Sequence, residues 1–284
     1  MNLVKELGLP TTGEKPNLAS GSLFFIGTAT VLLRYAGFTI LTDPNFLHQG
    51  DHVHLGYGLR STRQTNPAIA IEQLPPLDLV VLSHMHEDHF DRVAAQKLDK
   101  NVPIVTTHHA AESLTKKGFT APQALQTWET LTISKGDAVL RITSMPGRHG
   151  PKGLAAMLPP VMGSMLEFQT NAGKTVYRLY ITGDTLVYDD ILEIPKRYPD
   201  IDLALLHLGG TKVFGILLTM DAKQGVQAIQ IISPRLSIPI HYNDYTVFKS
   251  PLEEFMQAVK VAGLEQQVRY LSHGETFTFD VSLD

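Results

Sequence analysis

Leu82-Ser83-His84-Met85-His86-Glu87-Asp88-His89-Phe90-Asp91 is the stretch on which the reading of this chain turns. It follows residues 77–82, a nearly continuous apolar run of the kind that forms a strand buried on both faces. It precedes residues 90–98, where the pattern predicts a helix. Such strand-to-helix junctions are where open α/β sheets hold their ligands. In an extended chain side chains two apart point the same way, so His84 and His86 can reach one metal ion together. The turn into the helix then brings Asp88 and His89 round to face a second. Imidazole and carboxylate donors suit zinc, and also iron or manganese. Histidines are often partly buried for packing alone. Packing has no use for this spacing, however, and a polar cluster behind an apolar strand is costly unless it is ligated.

Working outward, strand signals occupy residues 22–26, 30–35 and 38–42, with Ala36-Gly37 as a hairpin turn between the last two. An irregular segment runs from Asp43 to about Asn66. A strand at 102–105 and a helix at 109–117 follow the signature. The second half repeats the style, with strands at 138–144, 164–168, 176–181, 203–206, 236–240, 268–271 and 276–279. Helices are expected over 222–232 and again after Ser250-Pro251, a capping residue followed by a first-turn proline. Strands first, then strand–helix alternation in both halves, predict an α/β architecture of two mixed sheets face to face with helices outside. One domain spanning 1–284 is expected, since the chain is long enough to bury a full two-sheet core. Three further polar residues sit just past apolar strands: His149, Asp184 and His241. Each alone is a weak signal, but their shared position strengthens all three.

Composition narrows the chemistry. Charged residues make up 18% and the net charge is −4 with no dense basic block, which argues against a nucleic-acid partner. There is no cysteine, so thiolate zinc sites, iron–sulfur clusters and cysteine nucleophiles are excluded. No apolar stretch approaches the roughly 20 residues of a membrane span, and the first residues lack a signal-peptide pattern. A cytoplasmic enzyme is expected.

The segment from His84 to His89 matches the HxHxDH signature of the metallo-β-lactamase superfamily, whose fold is a four-layer αββα sandwich. His149, Asp184 and His241 fall in the order and contexts of its remaining ligands. Ile26-Gly27-Thr28-Ala29-Thr30 and Leu41-Thr42-Asp43-Pro44 most resemble the branch of ascorbate-phosphate lactonase and the N-acyl-phosphatidylethanolamine phospholipase D-like proteins. The resemblance implies two divalent metal ions, zinc first with manganese or iron as alternatives. His84, His86 and His149 would hold one. Asp88, His89 and His241 would hold the other, with Asp184 bridging. Such a pair generates a bridging hydroxide at neutral pH, with Asp88 and Asp184 as its catalytic carboxylates. A flavodiiron redox protein is disfavoured, because its signature typically has Glu where this chain has His86.

Around this centre the residues leave several choices open. Asp43 either steadies a ligand histidine or merely forms a turn before Pro44. His207 ends an apolar strand as a possible second-layer partner, and Tyr242 and Tyr245 are candidate oxyanion donors. His48, His52 and His54 either line an entrance or are solvated. Arg148, Lys152 and Lys212 either recognise a substrate phosphate or carboxylate or are surface charges. Two apolar segments, 153–162 and 213–220, line the site for an apolar small-molecule substrate, or are buried strands or a contact between copies. The leading activity is hydrolysis of a lactone or carboxylic ester. A phosphodiesterase is the alternative, with a non-catalytic metal-binding regulator further behind. Nuclease and β-lactamase activities are not expected.

Overall fold

The computed structural model describes residues 5–11, 13, 15–56, 58 and 60–282. Two seven-stranded sheets stack face to face. The first runs in the spatial order Thr276–Asp280, Ser20–Gly27, Thr30–Tyr35, Phe38–Thr42, Leu79–Val81, Ile104–Thr106, Pro122–Ala124. Its first four strands are antiparallel neighbours and the rest join in parallel. The second sheet runs Lys5–Gly8, Thr130–Lys135, Ala138–Met145, Gly163–Gln169, Thr175–Ile181, Leu203–His207, Leu236–Ile240. Its last three strands are parallel. Both sheets are therefore mixed.

Burial follows from the alternation of side chains across each strand. Phe25, Val31, Leu33 and Ile40 of the first sheet meet Leu140, Leu166, Leu179 and Ile238 of the second, forming the central core. The opposite face of the second sheet, through Tyr180, Ala204 and Leu206, buries Ile229 and Ile232 of helix Ala222–Ile232 and Phe255 and Val259 of helix Leu252–Ala262. On the outer face of the first sheet, Leu41, Val80 and Ile104 cover Ala94 of helix Arg92–Lys97 and Leu114 of helix His108–Lys116. Helix, sheet, sheet, helix: this is the four-layer sandwich. No helix among the described residues is long and apolar enough to cross a membrane.

Most expected elements are present within a residue or two, and the hairpin turn falls at Ala36 and Gly37, both at positive φ. Two expectations are corrected. Residues 268–271 form no strand; Val268 makes only an isolated bridge to Ser237. The Arg269 N–H reaches the Ser237 carbonyl, but the next rung needs an N–H that Pro239 lacks, so pairing stops. Ser250 does not cap the last long helix. Pro251 occupies the cap position, while the Ser250 hydroxyl accepts from the Ala222 N–H and donates to Glu254.

Candidate metal centre

The polar residues picked out by the sequence converge because the strands that carry them end on one rim of the sandwich. Leu79–Val81 leads to His84 and His86, Ala138–Met145 to His149, Thr175–Ile181 to Asp184, and Leu236–Ile240 to His241. After His86 the chain turns, with the His89 and Phe90 N–H groups both donating to the His86 carbonyl. Asp91 then caps helix Arg92–Lys97 by accepting from the Ala94 N–H. That turn swings Asp88 and His89 inward. All the expected ligands except the partly buried His86 are fully buried.

Two groups result. Donor atoms of His84, His86 and His149 lie within 4.8 Å of one another, and so do those of Asp88, His89, Asp184 and His241. His84 Nε2 and His86 Nδ1 are 2.9 Å apart. Asp184 Oδ1 stands 3.4 Å from His89 Nε2, and Asp88 Oδ2 stands 3.6 Å from His241 Nε2.

Four of these atoms, Asp88 Oδ1, His89 Nε2, Asp184 Oδ1 and His241 Nε2, are buried with no hydrogen-bond partner. Each such orphan costs about 1–3 kcal/mol or more when charged, so a native fold does not gather four without a use for them. The remaining polar atoms of the same side chains are tied back. His149 Nδ1 donates to the Leu218 carbonyl and His241 Nδ1 to the Leu208 carbonyl, both at 3.1 Å. The Thr219 hydroxyl donates to Asp184 Oδ2 at 3.0 Å. Anchoring one ring nitrogen fixes the tautomer and leaves a lone pair on the other. The donor set therefore fits divalent cations.

Asp43 is the hub beneath the cluster. Its Oδ1 accepts from the Ser83 N–H at 2.7 Å. Its Oδ2 accepts from the Ser83 hydroxyl at 2.9 Å, His89 Nδ1 at 3.0 Å and His207 Nε2 at 3.2 Å. The Ser83 hydroxyl in turn meets His84 Nδ1 at 3.0 Å. Asp43 also ends its strand in a left-handed conformation, φ 33°. Asp43 thus both turns the chain and hydrogen-bonds His89.

Electrostatics agrees. Burial pushes His84 well below the ordinary imidazole value, and burial with the neighbouring His149 takes His86 down to about 4. Burial acts the same way on His89, yet Asp184, Asp88 and Asp43 hold it well above the ordinary value. Burial alone would raise Asp43, but His89 and His207 bring it below the usual carboxylate range. Three carboxylates thus call for positive charge around His89.

Other candidates lie elsewhere. Tyr242 is corrected: its hydroxyl donates to the Leu271 carbonyl, and its ring packs on Phe25 in the central core, so it offers no oxyanion donor. The Tyr245 hydroxyl is likewise committed, to Asn45 Oδ1 at 3.1 Å. His48, His52 and His54 bond Asn66, Thr62 and Glu87.

Sequence reasoning missed a buried network behind His241. The His241 N–H donates to the Thr28 carbonyl at 2.6 Å, and the Thr28 N–H donates to Asp244 Oδ2 at 2.7 Å. Fully buried Arg63 donates to the Thr28 hydroxyl and to Asn45 Oδ1, and the Asn45 amide holds the Glu87 carbonyl. Thr28 and His241 both have left-handed backbones, φ 51° and 61°, strained conformations kept because this network over-determines them.

The cluster opens into a cavity of about 290 Å³. His86, Asp88, His149 and Asp184 form its polar end. Both apolar segments complete it, through Leu154, Met157 and Leu158 from one and Val213, Phe214 and Leu218 from the other. Among the described residues no Lys or Arg lines it.

Comparison with known families agrees with this geometry. The family described as Beta-lactamase superfamily domain matches residues 39–242. The chain belongs to the metallo-β-lactamase superfamily. It is 28% identical over 274 residues to a UPF0173 metal-dependent hydrolase of Anaeromyxobacter sp. (strain K), covering 93% of this chain and 90% of that one. Among solved structures, Igni18, a metallo hydrolase from Ignicoccus hospitalis, superposes with a TM-score of 0.66 at 25% identity over 92% of this chain and 98% of its own. An isothiocyanate hydrolase from Delia radicum gut bacteria superposes with a TM-score of 0.77 at 22% identity, over 91% and 99% of the two chains, a likeness of fold. Membership places the chain among metal-dependent hydrolases.

Proposed function

We propose that the protein is a binuclear metal-dependent hydrolase acting on carboxylic esters or lactones with an apolar acyl part. His84, His86 and His149 would hold one divalent cation, zinc in the first instance, and Asp88, His89 and His241 a second, with Asp184 shared. When bound, such a pair supplies Lewis acidity, bringing the pKa of water near neutrality and drawing charge from a carbonyl oxygen.

The chain's own residues do the rest. Asp43, through Ser83 and His89, fixes the tautomers on which the centre depends. Asp88 turns Oδ2 towards His241 and leaves Oδ1 to take the proton of the attacking water. The apolar walls bind the acyl part and exclude bulk water, which strengthens every charge interaction at the polar end.

The observation that carries this reading is the composition of the cavity. Apart from Thr211 it is apolar up to the ligand cluster, and no Lys or Arg among the described residues lines it, which suits a neutral ester better than a phosphodiester. It also agrees with the resemblance of the sequence flanks to the lactonase and lipid-phosphodiesterase branch. The test is metal content together with hydrolysis of a medium-chain lactone, an acyl ester and a bis-aryl phosphodiester. About two metals per chain and ester or lactone turnover abolished by chelation and by Asp184→Ala are expected. A protein that takes up no metal would refute the reading, and exclusive turnover of the phosphodiester would replace the ester by the alternative substrate.

A further inference from the structure

The buried polar atoms left without a partner extend beyond the ligand cluster. Two belong to guanidinium groups. Arg63 Nη2 faces Asp244 at 3.9 Å inside the network already described. Arg148 Nε is different: Arg148 forms no ion pair among the described residues, and no carboxylate accounts for its charge.

Arg148 is held firmly for a residue with no counter-ion. Its backbone N–H donates to the Thr185 hydroxyl at 2.9 Å, and its carbonyl accepts from the Leu186 N–H at 3.0 Å. Its guanidinium lies over the Tyr188 ring, 4.2 Å from the centroid. A planar cation stacked in this way keeps its fork of donors oriented, which favours recognition of a carboxylate or phosphate. Arg148 lines a groove of about 690 Å³ with Thr127 and His109, and none of the described residues lining that groove is acidic. On its other side it lines a second groove with Lys152, where Asp189 and Asp190 are both exposed. The first groove shares His149, Met157 and Leu158 with the apolar cavity. A molecule whose reacting bond lies over the ligand cluster can therefore keep its apolar part in the cavity and send its other end past His149 to Arg148.

We infer that Arg148 forms an anion-binding subsite beside the hydrolytic centre, so that the preferred substrate is an acyl ester or lactone carrying a carboxylate or phosphate away from its apolar chain. This rests on the ester reading above. Arg148 is a specificity residue in this scheme and takes no part in bond cleavage.

The experiment compares ethyl hexanoate with carboxymethyl hexanoate, which differ by one carboxylate on the alcohol side, using zinc-loaded protein and continuous titration of released acid. Wild type should show a KM for the carboxymethyl ester on the order of 10- to 100-fold lower, the usual strength of a hydrogen bond to a charged group, with similar kcat for both. Arg148→Gln should bring the ratio of the two KM values towards one, and Arg148→Lys should restore part of it. Tyr188→Leu removes the platform at a distance from the ligands and should reduce the same ratio, so it decides the matter if Arg148→Gln loses metal. Equal KM values in wild type, or a preference that survives both Arg148→Gln and Tyr188→Leu, would overturn the inference and leave the ester reading standing. Turnover of neither ester by fully loaded protein would overturn both.

Discussion

Replacing Asp43 with Asn tests the ligand assignment at its most sensitive point. The substitution is nearly isosteric, and Asn tolerates the left-handed backbone at this position. In wild type Oδ2 accepts three hydrogen bonds, from the Ser83 hydroxyl, His89 and His207, while Oδ1 accepts one from the Ser83 N–H. An amide cannot reproduce this pattern. With its oxygen facing the Ser83 N–H, its NH2 points at His89 Nδ1 and drives the imidazole proton to Nε2, the atom the second cation needs. Flipped, the NH2 faces the Ser83 N–H, a buried donor against a donor. The first orientation strikes the second site directly and the flip costs stability instead, while His84 meets Asp43 only through the Ser83 hydroxyl, so the first site is affected less. Loss of such a partner typically weakens metal binding 10- to 100-fold, about 1.4–2.7 kcal/mol. The upper end is expected here because the tautomer is inverted. Calorimetric titration of zinc into metal-free Asp43→Asn should give one site close to wild type and one weakened about 100-fold, with the thermal midpoint of the metal-free protein as the control for folding. Equal weakening of both sites, or a second site as tight as wild type, would refute the assignment of His89.

Two further outcomes follow from packing. Gly183, just before Asp184, has φ 63°, and a Cβ there would stand 2.7 Å from the Met162 carbonyl oxygen. Gly183→Ala should cost about 2 kcal/mol or more in denaturant unfolding of the metal-free protein, since overpacking and a left-handed alanine add, and wild-type stability would contradict the placement. Met157 and Leu158 line the apolar cavity. Replacing both with Ser should lower kcat/KM for an octanoyl ester by on the order of 10-fold or more, given 1–3 kcal/mol per methylene in an apolar pocket. The acetyl ester and the zinc stoichiometry should hold; an unaltered chain-length profile would show that this segment does not contact the acyl group.

Legibility in the sequence tracked the range of the interactions. Most strands of the central core were readable because alternation and apolar runs are local, and so were helix 222–232 and the tight turn at Ala36-Gly37, but Thr130–Lys135, which gives Leu131 and Ile133 to that core, was missed. The short edge strands Lys5–Gly8 and Pro122–Ala124 were missed, since neither has a buried residue and both exist only through their neighbours. The expected strand at 268–271 failed for a non-local reason too, because its partner's proline lies about thirty residues away.

The site divides along the same line. His84 to His89 announce themselves because their donors come from one turn, and His149, Asp184 and His241 could be found because each follows an apolar strand. Arg63, Thr28 and Asp244 could not. Arg63 looks like one more loop cation until it is placed, fully buried, on Thr28, whose own N–H is held by a carboxylate 216 residues later. Thr28 looks like a strand-end threonine until its left-handed φ and the short bond from the His241 N–H put it behind His241. A donor atom needs only the right chemistry at a strand end, which a motif records. Holding that atom still takes charges buried together from distant parts of the chain, and a buried charge is stable only with partners that three-dimensional proximity alone can name.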